Sequence, residues 1–404
     1  MKTILFTHFG ENWIRGSERM LLDIMAGLDR TRFRPVLWCN ADAMAVAARA
    51  AGVEVIQSAM AYFLDYSSPR PNPLTFLRLV WEARRIIRLH RVELVHANSA
   101  APCQWLAPAA RLCRVPVVAH VHAGYLPRSR FVTLLHQAAV VVGASKHTLD
   151  GLARDGVPRD RLRVVLNGVD LQRLAGGDGR GFREELGIRP EAFVILSVGA
   201  LVHIKGHDRL IGALHWLLET NPDLDAHLVI IGEGECRAEL QAQADQLGLA
   251  GRVHLVGPRP ALASVFKDAS CFALASRQEA FGLVLAEAGA CGLATVATAI
   301  GGIPEVVVNN RTGLLVDKGD EDSTIWWLAA CFKGLADFPS ARVLLGENAA
   351  KHVATTFRMA RVVQQLEAIY GEVLQVPPAE RRLAVLPYGR QLVRRPIMAA
   401  RGLR

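Results

Sequence analysis

Along this chain, short apolar runs with little alternation keep returning, separated by longer stretches whose apolar residues recur at helical spacing. Thr3–His8, Pro35–Cys39, Leu94–Ala97, Val115–His120, Val140–Gly143 and Leu162–Leu166 read as strands, with a loop containing Gly16 and a helix near Glu18–Leu28 after the first. The glycines of GGDGRG (176–181) then predict a flexible connection. A second series follows at Phe193–Val198, His227–Ile231, Val253–Val256, Cys271–Ala275, Ala294–Ala297 and Leu314–Val316. Strands without a polar face belong to parallel sheets covered on both sides by helices. The pattern predicts an α/β protein of two doubly wound, Rossmann-like domains, 1–175 and 182–356, facing each other across a cleft. A helix over 357–374 and a tail over 375–404 follow. Ligands in such folds lie beyond the carboxyl ends of the strands.

Composition narrows the class. A chain of 404 residues exceeds one ordinary core, and 51% hydrophobic residues with 34 glycines suit a globular α/β protein. Seven cysteines are scattered, odd in number and without CxxC spacing, which argues against a disulfide framework or zinc site and for a reducing cytoplasm. The start, MKTILFTHFG, is too short an apolar run for a signal peptide, and no stretch reaches the roughly 18 apolar residues of a spanning helix. The expected protein is cytoplasmic, either soluble or resting on a membrane without crossing it.

The formal charge of +9 is uneven: residues 1–180 carry +10, 181–356 carry −7 and 357–404 carry +6. An anionic partner should therefore meet the first segment and the tail. Zinc-finger spacing and an aromatic RNP-like run are both missing from the sequence, so an anionic membrane surface is expected rather than nucleic acid. Leu74–Arg91 mixes apolar positions with Arg78, Arg84, Arg85, Arg88 and Arg91, and the tail adds seven arginines from Arg381 to Arg404. An ordinary covering helix explains the first slightly better than a docking helix does; for the tail, attraction to anionic lipid is the stronger reading.

Candidate chemistry concentrates in RQEAFGLVLAEAGACG (277–292), where Glu279 and Glu287 flank a Phe-Gly-Leu step. Glu279 should lie in the turn after the Cys271–Ala275 strand, and Glu287 inside a helix that begins near Gly282. Amides around Phe281, Gly282 and Leu283 then form a helix N-terminus suited to an anion, and Gly282 admits close approach. One carboxylate would accept sugar hydroxyls and the other ribose hydroxyls, as a nucleotide sugar requires. Taken alone, the pair fits a capping glutamate and an exposed helix glutamate better. Other segments change that balance: ILSVGALVHIKGHDRLI (195–211) puts Lys205 and Gly206 after a buried strand, and IIGEGE (230–235), LVGPRP (255–260) and GGIPEVV (301–307) are further strand exits.

Together these segments resemble the retaining glycosyltransferases of family four (glycosyl transferases group 1), which have the GT-B fold. The resemblance is specific over 194–317, where EAFGLVLAE matches the E-x7-E motif. It is weaker over 1–170, through RGSERMLLDI (15–24), HVHAG (120–124) and LNGVD (166–170). It implies that Glu279 binds donor-sugar hydroxyls, Glu287 the ribose and Lys205 the diphosphate. Amides of Phe281, Gly282 and Leu283 would hold phosphate and sugar, Gly16 would bring backbone close to the donor phosphates, and His122 would lie near the reacting sugar. Catalytic roles thus fall on His122, Lys205 and Glu279. The resemblance further implies front-face transfer with retention, no metal or other cofactor, and a last helix crossing back to the first domain. The donor would be a nucleoside diphosphate sugar and the acceptor a glycan or lipid-linked sugar of surface polysaccharide or glycolipid synthesis.

Other polar residues have simpler explanations. His8 and His96 end strands and are expected to pack or hydrogen-bond; Asp320, Glu321 and Asp322 are expected to start a helix rather than bind metal. GEG (232–234) supports the nucleotide loop. Two positions depart from the family: Ala200 stands where an arginine is usual, and Arg15 replaces the first loop glycine. His203 and Arg277 are the candidates to compensate for Ala200. The departures keep a catalytically silent nucleotide-sugar-binding protein as an alternative, whereas HFGENWIRGSE after the first strand lacks the G-x-G-x-x-G of a dinucleotide oxidoreductase.

Overall fold

The computed structural model describes residues 1–64, 72–175, 182–259 and 262–377. GGDGRG and nearly all of the basic tail therefore lie outside the described residues. The chain divides into two compact units, one of Met1–Leu166 with the chain from Val362 onward, the other of Asn167–Arg361.

The first unit is built on β1 (Lys2–His8), β2 (Phe33–Cys39), β3 (Glu54–Gln57), β4 (Leu94–Asn98), β5 (Val117–Val121), β6 (Val140–Gly143) and β7 (Leu162–Val164). Their order is β3-β2-β1-β4-β5-β6-β7, and every described pairing is parallel. The second unit carries β8 (Phe193–Val198), β9 (Ala226–Ile231), β10 (Val253–Gly257), β11 (Cys271–Leu274), β12 (Thr295–Thr298) and β13 (Gly313–Val316) in the order β10-β9-β8-β11-β12-β13, again parallel. Both are α/β sheets of the doubly wound type. In each, strand order reverses beside the first strand, between β1 and β4 and between β8 and β11, and that switch point is where ligands bind in open α/β sheets.

Central strands are buried along their length, as in Leu5, Val95, Ala119, Ile195 and Ala273, so they read as unbroken apolar runs. The strand absent from the sequence reading is β3, with burial limited to its two middle residues. A four-residue half-exposed edge strand has too little apolar signal to stand out. Val117–Val121 and Thr295–Thr298 start one or two residues later than the apolar runs predict.

The last helix, Met359–Gln375, carries the chain into the first unit. There the Tyr370 hydroxyl reaches His96 Nδ1 at 2.7 Å, Glu367 accepts from the Asp29 amide at 2.7 Å, and Val363 packs on Gly27. Among the described residues no helix is long and apolar enough to cross a membrane.

Candidate functional site

In the second unit the loops after β8, β11 and β12 are tied to one another. Gly206 adopts a left-handed φ of +68°, and a Cβ there would fall 2.0 Å from the carbonyl oxygen of Ala275. Only glycine lets the turn after β8 press against the end of β11. Arg277 and Gln278 amides donate to the Ile204 carbonyl, the Gly302 amide to the Glu279 carbonyl, and Thr298 Oγ1 to the Ser276 carbonyl. GEG fits the same scaffold. A Cβ on Gly232 would overlap the Gly199 carbonyl, so this loop supports the exit of β8 by close backbone approach.

That scaffold brings Lys205 Nζ to Glu279 Oε2 at 2.7 Å, with the two side chains 26% and 12% exposed. The pair bridges the switch point between β8 and β11. Gly282, at φ +89°, caps the helix Leu283–Ala290, and Phe281 is anchored against Phe357. Glu279 thus stands before the helix and Glu287 is half-buried within it. A lysine beside a helix N-terminus supplies positive potential from both sides, the arrangement that holds a diphosphate. Glu279 offers the acceptor oxygens that polyhydroxylated ligands need.

Arg277 does not take the role offered for it. Its guanidinium grips both oxygens of Asp208 at 2.8 and 2.6 Å, reaches Glu321 at 3.0 Å, and donates to the His203 carbonyl. Hydrogen bonds to Asp208 raise its pKa above the ordinary arginine value. Arg209 binds Glu321 as well, at 2.6 and 2.7 Å, and the two arginines hold that carboxyl down to about 2. Glu321 is thus committed to a loop-bracing network, while Asp320 caps its helix through the Ser323 amide at 2.8 Å. His203 is exposed on the turn before Lys205. Buried His207, with its pKa lowered to about 4 by desolvation, closes the turn on the other side.

In the first unit the polar groups also collect at the switch point. His8 ends β1, Asn98 ends β4, and His122 follows β5. Asn98 Oδ1 lies 2.7 Å from His122 Nε2, Asn98 Nδ2 lies 3.1 Å from His8 Nδ1, and His8 Nε2 faces Glu18 Oε1 at 3.3 Å. Glu18 sits in the first turn of the helix Gly16–Gly27 and accepts the Arg15 amide at 3.1 Å. Burial opposes its charge, but the adjacent His8 imidazole and the helix-start amides hold its pKa at about 2. Gly10 is required here, since a Cβ would meet His8 Nε2 at 2.6 Å. The His120 ring packs against His122 at 4.3 Å, tilted by 39°, and desolvation keeps His122 low, at about 4, His96 at about 3 and His120 well below its ordinary value. All three are neutral at physiological pH. Sequence reasoning selected His122, expected His8 only to pack or hydrogen-bond, as it does to Asn98, and missed Glu18 and Asn98. The signal available was their position: each ends a strand, or starts a helix, at the switch point.

Two doubly wound parallel units, each with its polar cluster at the switch point, define the GT-B class of glycosyltransferase. The sequence matches the family descriptions Glycosyl transferases group 1 over residues 180–350 and Glycosyltransferase Family 4 over residues 14–173. The D-inositol 3-phosphate glycosyltransferase of Actinosynnema mirum is 38% identical over 54% of this chain and 53% of its own length. The D-inositol 3-phosphate glycosyltransferase 1 of Catenulispora acidiphila is 30% identical over 70% of this chain and 73% of its own. The chain belongs to this glycosyltransferase family. Among solved structures, Anabaena HepE in complex with UDP shares the fold with a TM-score of 0.76 at 22% identity, covering 92% of this chain and 100% of that one. A glycosyltransferase from Rickettsia africae does so at 0.78 and 20% identity, covering 93% and 99%.

Proposed function

We propose that the protein transfers a hexose-type sugar from a nucleoside diphosphate sugar to a glycan or lipid-linked acceptor, with retention and without a metal, in surface polysaccharide or glycolipid synthesis. The Lys205–Glu279 pair in front of the Gly282 helix end carries this reading. Lys205 and the amides of Phe281, Gly282 and Leu283 would offset the charge of the departing diphosphate, Glu279 would hold the sugar hydroxyls and Glu287 the ribose. Gly16 would admit the donor phosphates from the first unit, and His122 would meet the reacting sugar. Most of the rate enhancement would come from preorganised positive groups facing the charge that develops on the leaving diphosphate. Two carboxylates of a hydrolase would instead straddle one glycosidic bond. The names of the relatives add a phosphorylated cyclitol to the acceptors worth testing. Incubation with UDP-, GDP-, ADP- and dTDP-sugars, with each acceptor class present, should release free nucleoside diphosphate for at least one donor. Tight donor binding with no release for any pair would favour the silent binder instead.

An exposed stripe favours a peripheral location at the inner face of the cell membrane. The helix Pro73–Leu89 buries Leu79, Ala83, Ile86 and Ile87, yet leaves Leu74, Leu77 and Trp81 at 80%, 61% and 60% exposure, with Arg85 over the Trp81 ring. A covering helix needs one apolar face; this one has a second, flanked by arginines. Co-sedimentation should be stronger with anionic than with zwitterionic vesicles and should fall in Leu77→Ser/Trp81→Ser and on removal of 375–404. Binding that ignores lipid charge and both changes would remove the membrane from the proposal.

A further inference from the structure

The chain Glu18–His8–Asn98–His122 has one consistent placement of its protons. Asn98 Nδ2 lies 3.4 Å from the Ser17 carbonyl oxygen as well as 3.1 Å from His8 Nδ1. A carbonyl oxygen only accepts, so the amide nitrogen, not the amide oxygen, must occupy that side of Asn98. It then donates to His8 Nδ1, which must be bare, and the His8 proton sits on Nε2, 3.3 Å from the Glu18 carboxylate, an ion-pair contact rather than a formed hydrogen bond. On its other side Asn98 presents Oδ1 to His122 Nε2 at 2.7 Å, so that nitrogen carries the His122 proton. His122 Nδ1 is left bare, buried, and without a partner among the described residues. Reversing any link would set two donors or two acceptors against each other.

We propose that Glu18, His8 and Asn98 are positioning residues that fix His122 as its Nε2–H tautomer, so that Nδ1 is presented as a hydrogen-bond acceptor for a ligand hydroxyl. This deepens the glycosyltransferase reading and rests on it for the identity of that ligand as a sugar. The fixed end of the chain is Glu18, itself held by the Arg15 amide and the Ser17 hydroxyl. A carboxylate fixing a histidine tautomer through one bond is a known device of catalysis. Here an asparagine and a second histidine extend it across β1, β4 and β5. Neutral His120, packed against His122 with its ring tilted by 39°, adds no competing charge.

The test is long-range proton–nitrogen correlation NMR of the full chain at neutral pH, with signals assigned by their loss in His8→Gln and His122→Asn. Both His8 and His122 should show protonated Nε2 and bare Nδ1. Asn98→Leu, which removes both links, should give His122 a mixed tautomer signature and lower kcat/KM at least about tenfold. Asn98→Asp keeps an acceptor toward His122 and should keep its tautomer, which separates loss of ordering from loss of fold. A proton on His122 Nδ1 in the native protein, or an unchanged His122 signature in folded Asn98→Leu, would overturn the proposal. Absence of turnover with every donor would instead remove the glycosyltransferase reading and leave the tautomer result standing.

Discussion

At the switch point of the first sheet, His8 and Asn98 are buried, His122 is partly buried, and Glu18 supplies the charge at the far end of their chain. At the switch point of the second, the Lys205–Glu279 ion pair partly reaches solvent, and a chain of Asp208, Arg277, Glu321 and Arg209 braces the loops beneath. The same topological position thus carries two electrostatic solutions. In the first, hydrogen-bonded buried groups order protons toward the directional acceptor proposed above. In the second, an ion pair that partly reaches solvent stands where the proposed diphosphate would bind and leave. The difference follows from desolvation, which costs a fully buried charge several kcal/mol and a partly solvated ion pair less.

Acid should break the comparison most sharply. Folded pKa values below the ordinary histidine value mean that the unfolded chain binds more protons, so stability is fully present above about 6.5 and falls as pH drops toward about 4. Each buried histidine contributes a slope of up to about 1.4 kcal/mol per pH unit over its window. Glu18 adds a further loss as pH falls from 4.5 toward about 2. His96, His120 and His122 share one cluster, whereas His207 stands apart in the second unit. Hydrogen exchange, corrected for intrinsic rates, should show β4 and β5 losing protection at higher pH than β8 and β11. The reverse order would undo the contrast.

Next in size is the charged pair. Lys205→Ala should lower turnover about 100-fold or more, in the range of a lost charge-stabilising donor. Glu279→Gln should lower turnover while leaving nucleoside diphosphate affinity nearly intact, and Glu287→Gln should weaken that affinity by about 1–3 kcal/mol. Isothermal titration beside steady-state rates separates these, and equal effects of both glutamates on nucleotide binding would contradict the division of roles.

A smaller effect distinguishes bracing from binding. Arg277→Ala should reduce stability by about 1–2 kcal/mol in urea titration, discounted for the exposure of Glu321, with no change in the pH dependence of turnover. A loss of nucleotide affinity at unchanged stability would return Arg277 to the diphosphate. The smallest response expected is to salt: screening should weaken the second unit's ion pairs by under about 1 kcal/mol and leave the His122 signature untouched.

Much of the second unit's site was legible because its residues lie close in sequence to strand ends that announce themselves. Lys205 and Gly206 follow an unmistakable buried strand, and Glu279 and Glu287 bracket a glycine at a helix start. Arg277 was misjudged since its partners, Asp208 and Glu321, stand 69 and 44 positions away. The first unit's site was half hidden for the same reason on a larger scale. His8 and Asn98 are 90 positions apart, and neither has local chemistry that distinguishes it from a residue packed at a strand end.

The sequence by itself determined the alternation of buried strands and helices, hence two parallel sheets with ligands at their carboxyl ends, because apolar periodicity is a local property of the chain. It also determined the glutamate pair and the Lys-Gly step. Tertiary structure alone decided which polar side chains meet. Strand order placed β1 against β4 and β8 against β11, and only that adjacency joins Glu18, His8, Asn98 and His122 into one proton-ordered chain and sets Lys205 on Glu279. Hydrogen bonds and ion pairs act over a few ångströms, so their partners are fixed by which strands become neighbours, information that no single stretch of residues contains.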